Sequence, residues 1–238
     1  MRERQQGSFG FLFCCRRETE DRSERSKDIK VRARWISGIT VASLAVFVVM
    51  TLGVTIVHGQ AQRVRWDIIS GNFATTPTTF TAGGVAFASA RNGGAPSGLK
   101  IKLTGFGTFV APASGGESSA VTGGGTWETF SGCPSACVST GSGTYSVTRL
   151  ASWEFANLQT PGAVIDNVAP GLGSNGNAIL RIRYSDGSEG SLGVGCHGPG
   201  APNGITEGVI ATKNYVTYWD AEAPVAGVNA DRTSFHIE

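Results

Sequence analysis

Hydrophobic and polar positions divide the chain near residue 58. From Trp35 to Val57 the sequence reads WISGITVASLAVFVVMTLGVTIV, without a charged residue. At about 1.5 Å per helical residue this run is long enough to cross the hydrocarbon of a bilayer with some tilt. Nothing polar alternates through it to give a soluble helix a wet face. The pattern predicts one N-terminal transmembrane or signal helix over residues 35–57.

Beyond Arg63 the period changes. Leu99, Ile101 and Leu103 alternate with Lys100, Lys102 and Thr104, and Ala178, Leu180, Ile182 and Tyr184 alternate with Ile179, Arg181 and Arg183. Alternation of this kind belongs to strands with one face buried. Asp186-Gly187, between Tyr184 and Leu192, supplies the positive φ of a tight hairpin turn. Weaker strands are expected over Val64–Ile69, Val85–Ala90, Thr144–Thr148, Val209–Thr212, Tyr215–Trp219 and Thr233–Ile237. Gly115–Gly125 and Pro170–Gly176 read as surface loops.

A regularity runs through the middle of the body. Gly105-Phe106-Gly107-Thr108-Phe109, Gly123-Gly124-Gly125-Thr126-Trp127 and Gly141-Ser142-Gly143-Thr144-Tyr145 recur 18 residues apart. Paired glycines in a strand permit bending and close approach by another layer, and an aromatic side chain two residues on covers the gap. Three consecutive strands of a curved antiparallel sheet are predicted. The body, residues 64–238, is therefore expected to be all-β: a single antiparallel β-barrel or barrel-like sandwich. A phosphate-cradling loop would need a helix after the glycines, and no helical period follows them.

Charge adds direction. Residues 1–34 hold ten basic and six acidic residues, net +4, whereas the rest of the chain is −2. A mildly acidic body has no basic face for a phosphate backbone, which excludes nucleic acid as a partner. Lys27, Lys30, Arg32 and Arg34 flank the apolar run on its N-terminal side, against Arg63 and Arg65 after it. This bias keeps the N-terminus inside and the body extracytoplasmic. Residues 1–34 are then a charged, disordered cytoplasmic tail. The membrane is a partner through 35–57 if the run is retained. Gly59-Gln60-Ala61 equally offers small residues for cleavage near Ala61, which would release the body as a secreted protein.

Candidate chemistry is sparse. Cys133 and Cys137 lie in the turn-rich SGCPSACVS, in a compartment that permits disulfides, and are expected to bridge, leaving Cys196 unpaired. Zinc held by Cys133, Cys137 and Cys196 or His197 is chemically conceivable. Neither a metal nor a cofactor is expected, because adjacent strand residues such as Cys196 and His197 face opposite ways.

GxSxG and HExxH are absent. The strongest catalytic candidate is His197, at the end of a strand, with Asp186 or Glu189 to orient it. Trp127, Tyr145 and Trp153, with Tyr215, Tyr218 and Trp219, are candidates for stacking on a small molecule or glycan. The preferred reading is a non-catalytic domain for ligand binding, adhesion or envelope structure. The alternative is an extracytoplasmic hydrolase or isomerase with His197 in the barrel interior. Self-association through a Thr- and Gly-rich face is a third possibility.

Overall fold

The computed structural model describes residues 61–113 and 115–238; the expected tail (1–34) and apolar helix (35–57) lie outside the described residues. Within them the chain is all-β, a ring-like sheet of 13 strands with no helix. The strands are β1 (Gln62–Asn72), β2 (Thr78–Ala82), β3 (Ala86–Asn92), β4 (Ala95–Leu103), β5 (Phe106–Ala111), β6 (Val121–Ser131), β7 (Val138–Leu158), β8 (Val164–Asn167), β9 (Leu172–Tyr184), β10 (Glu189–Cys196), β11 (Gly208–Lys213), β12 (Val216–Ala221) and β13 (Gly227–Ile237).

Two circuits of hydrogen-bonded neighbours close. One runs β3-β4-β6-β7-β9-β10-β11-β12 and back to β3; the other runs β1-β5-β6-β7-β9-β13 and back to β1. They share β6, β7 and β9. All of these pairings are antiparallel. Closure leaves few strand edges free to pair with other chains. A parallel pair, β2 with β8, lies to one side, and β2 also pairs with the end of β1.

The alternation read from the sequence sets which side chains enter the core. Ile101 and Leu103 of β4 are fully buried, as are Ala178 and Leu180 of β9. Lys100 and Lys102 point the other way, to Glu222 and Glu128. The predicted Asp186-Gly187 turn is present: Gly187 has φ 87°, the Ser188 amide donates to Asp186 Oδ1, and Glu189 pairs with Arg183.

Two expectations need correction. Val121–Gly125 belongs to β6 and Leu172–Gly176 to β9, so the expected surface loops are half strand. Glycines there read as turn residues, but Gly123, Gly124, Gly125, Gly173 and Gly176 sit where neighbouring backbone or a large side chain lies against them.

The repeat shows that reason directly. Its three copies fall on or beside the consecutive antiparallel strands β5, β6 and β7, with the first copy beginning at Gly105 just ahead of β5. The covering aromatic, however, comes from across the ladder. Gly107 sits opposite Trp66, Gly125 opposite Tyr145, and Gly143 opposite Trp127. A Cβ on Gly143 would lie 3.0 Å from the Trp127 indole nitrogen, and one on Gly107 2.9 Å from that of Trp66. Tyr145 reaches past Gly125 to donate its hydroxyl to Thr104 O at 2.9 Å. Gly107 and Gly143 thus make room for a ring belonging to the neighbouring strand, and Gly125 for the Thr104 backbone.

The core has two aromatic centres. Trp153 meets Phe235 at 4.6 Å and Phe109 at 5.4 Å between ring centroids, and Tyr184 meets Trp127 at 5.7 Å. Alanines 86, 88 and 90 of β3 are buried too, small enough to let the larger residues across from them fill the interior.

Cys133 and Cys137 are bridged, as expected, with S–S 2.08 Å, and Cys196 is free and buried. The bridge closes the turn between β6 and β7. A loop this short loses little denatured-state entropy, so the Cys133→Ser/Cys137→Ser variant should lose about 2 kcal/mol, read as a lower thermal midpoint, with its strand content intact.

Candidate ligand-binding face

His197 follows β10 and is exposed. Its amide donates to Glu207 Oε2 at 2.7 Å, and its Nδ1 lies 3.0 Å from Ile205 O. Asp186 and Glu189 stand at the opposite end of β10, which at about 3.3 Å per residue is roughly 25 Å long. Asp186 is bonded to Lys213, and Glu189 to Arg183 at 2.7 Å. The three catalytic candidates are not brought together. Glu207 is the carboxylate that does approach His197, but it binds backbone: its other oxygen takes the Thr233 amide at 2.9 Å. Burial pushes the Glu207 carboxyl above its ordinary range, against the pull of those two amides. Its role is to fasten the 197–207 segment to β13. Cys196 is held as an unreactive thiol, its pKa driven up by burial.

Two polar arrangements escaped the sequence reading. Lys213, only 5% exposed, buries its ammonium over the Trp127 ring (4.2 Å) and the Tyr184 ring (4.6 Å). There it binds Asp186 and, at 2.8 Å, Ser188. These contacts tie the β9–β10 turn to the end of β11. His236 is buried and its Nε2 lies 2.8 Å from Asp166 Oδ2, pinning β8 to β13. Burial raises the Asp166 pKa, but the His236 bond, the Val168 amide and the His236 charge outweigh it, leaving the carboxyl below its ordinary range. The other His236 nitrogen, Nδ1, is buried with no hydrogen-bond partner among the described residues. No nucleophile is therefore aligned on this imidazole, and the pair is a clamp.

Trp127 and Tyr145 are core residues, each 5% exposed, and Trp153 packs between Phe109 and Phe235. Of the six candidate stacking residues, Trp219, 71% exposed, and Tyr215, 94% exposed, face outward. Both belong to the β11–β12 hairpin, where Asn214 adopts φ 54° to make the turn. Along β12 Tyr218 points into the core while Thr217 and Trp219 point out. The register to β3 slips here. Tyr218 pairs with Ala90 and Asp220 with Ser89, so Trp219 is the extra residue of a bulge. A bulge of this kind bends the strand and re-aims the side chain it carries.

Trp219, Thr217, Ser89, Arg91 and Asp220 line a cleft of 390 Å³. Arg91 donates through Nε to Asp220 Oδ2 at 2.9 Å, with its NH2 nitrogen 2.6 Å from the same oxygen, and through NH1 to Gly94 O at 2.8 Å. A second cleft of 180 Å³ shares Ser89, Arg91 and Asp220 and continues past Lys100 and Glu222 to Cys133 and Pro134. Lys100 and Glu222 are paired at 2.5 Å, and Ser89 donates to the same Glu222 oxygen at 3.2 Å. A larger depression, 610 Å³, lies over β7, β9 and β10 beside Arg149, Arg181 and Glu189, but no aromatic ring lines it. Chemistry favours the β12–β3–β4 face, where an exposed indole stands next to fixed polar groups.

The described residues contain no group of three or more His, Cys, Asp or Glu that could hold a metal ion. No protein-family model, no curated protein and no solved structure matches the chain, so the reading of this face rests on its own geometry.

Proposed function

We propose that the chain is an extracytoplasmic domain, membrane-anchored through residues 35–57 or secreted after cleavage near Ala61, that binds a ligand without transforming it. The body is read as a barrel-like sandwich whose outer β12–β3–β4 face is the binding surface. The uncharged 35–57 run and the basic residues before it support the location. One observation carries the binding role: Trp219 is held out on a bulge beside the Arg91–Asp220 ion pair, at the junction of two clefts. No metal-ligand set accompanies it among the described residues, and the Glu222 oxygen that takes the Ser89 hydroxyl is already paired with Lys100. A partner of the adhesive or envelope-structural kind fits such a surface.

The test uses the full chain in a zwitterionic detergent that carries no sugar, mixed with cell-envelope material from its host and sedimented. The wild-type protein should sediment with the envelope, His197→Ala should do the same, and Trp219→Ala should stay in the supernatant. Release of a small product that disappears in His197→Ala would overturn this reading in favour of the hydrolase or isomerase alternative.

A further inference from the structure

We infer that the ligand of the Trp219 face is a neutral carbohydrate chain. This rests on the binding role proposed above and adds the ligand's chemical class.

Charge is the first reason. Each charged group along the two joined clefts is already matched: Arg91 with Asp220, and Lys100 with Glu222. The path carries no net charge. A phosphate, sulfate or uronate would gain little here, because the Arg91 charge is already neutralised by Asp220, whose carboxylate repels an anion. A cationic ligand meets the reverse problem at Arg91 and Lys100.

Hydrogen-bonding capacity is the second. Both contacts from Arg91 fall on Asp220 Oδ2, so Oδ1 is left to accept. The guanidinium has five N–H groups, of which two make hydrogen bonds while the NH2 nitrogen lies in ion-pair contact with the same Asp220 oxygen, so at least two remain to donate. A donor and an acceptor are thereby presented side by side in fixed positions. A pair of neighbouring hydroxyls on a sugar ring, each able to donate and accept, complements them. A flat aromatic ligand would use the indole and leave these polar groups unmatched.

Trp219 supplies the remaining surface. Its exposed ring offers a flat apolar face for the C–H side of a pyranose, next to the polar pair that would hold the ring edge. Tyr215, in the turn just before β12, offers a second exposed ring four residues from Trp219. With the second cleft running on past Lys100 and Glu222, the surface fits several linked sugars better than one.

The experiment screens the full chain, in the same sugar-free detergent, on an array of neutral and acidic glycans, followed by calorimetry with the linear hexamers cellohexaose, chitohexaose, maltohexaose and hexagalacturonate. At least one neutral chain should bind, with an affinity that does not fall on adding salt. It should bind at least about tenfold more tightly than its own monosaccharide. Trp219→Ala should weaken it about tenfold or more, and Trp219→Phe should restore most of the loss. Binding confined to acidic glycans and weakened by salt would overturn the inference, as would the absence of any glycan binding. If glycans fail while envelope material is still retained through Trp219, the ligand class is wrong and the binding role stands. If Trp219→Ala changes neither measurement, both are wrong.

Discussion

Gly125→Ala is expected to cost about 3–5 kcal/mol, a large part of what stabilises a domain of this size, whereas Gly141→Ala should be nearly silent. Both glycines belong to the Gly-Thr-aromatic repeat, and only their surroundings differ. A Cβ on Gly125 would lie 1.8 Å from Thr104 O, a backbone atom that cannot step aside. Thr104 is fixed there by its own amide, which donates to Thr126 O, and by its hydroxyl, which accepts the Thr126 amide. At Gly141 the nearest atom to an added Cβ is the edge of the Trp127 ring at 3.4 Å, an ordinary contact.

Gly125 marks the place where β6 passes from pairing with β5 to pairing with β4. Alanine there would push β4 and β6 apart and open the first circuit at the point where β6 leaves β5 for β4. Urea midpoints of the two variants, with soluble yield as a second readout, measure the difference. Equal midpoints would mean that the repeat glycines are not there for close packing.

Lys213→Ala should lose about 3 kcal/mol, because it removes a long aliphatic stem from between two rings and leaves Asp186 without its cation. Lys213→Met keeps the stem and should lose less, which separates packing from charge. The pH dependence has a definite sign. Bonding to Lys213, then to Ser188, holds Asp186 down at about 2 in the folded protein. Its contribution is therefore present above the ordinary carboxylate range and is lost as pH falls from about 4 towards 2. That acid limb should flatten in both Lys213 variants.

Asp231 acts in the opposite sense. Burial, aided by the charge of Glu222 and opposed by the Phe87 amide and Lys100, raises it to about 6. Between about 4 and 6 the folded state then holds the proton more tightly than the unfolded chain, so stability falls as pH rises through that window. Together the two carboxyls place the greatest stability of the wild-type body at about pH 4. Urea midpoints measured from pH 2 to 9 would show it, and a maximum above pH 7 would contradict it.

The parts of the fold that could be read in advance were those with clean period-two alternation. Ile101 and Leu103, or Leu180 and Ile182, announce a buried face because every second residue is apolar. β7 defeats that rule. Its 21 residues carry register shifts at Val147/Arg149, Leu150/Ser152 and Phe155/Asn157, and each shift resets which parity faces inward. β2 and β8 are short and largely polar, and they are strands only because they pair with each other and with β1.

The repeat was visible as spacing, but the identity of the covering ring was not, since Trp127 lies opposite a glycine 16 residues away. For the site, the aromatic residues could be named but not sorted. Trp127, Tyr145 and Trp153 look no different in sequence from Trp219, whose outward aim depends on a one-residue slip against β3. Lys213 shares the parity of the buried Val209 and Ala211, so alternation sends a charged side chain inward, and only the meeting of Trp127, Tyr184 and Asp186 in space makes its burial tolerable.

The pairing of the first strand with the last governs when the molecule can become itself. Val64 is matched with Ile237, more than 170 positions apart, and Arg63 meets Glu238 at the margin of the same ladder. Contacts between such distant stretches form slowly, and these cannot begin until the C-terminal strand has left the ribosome. A nascent chain interrupted anywhere before residue 227 would carry β1 with β2 and β5 but bare along the edge meant for β13, leaving it dependent on whatever guards unfinished polypeptides from one another.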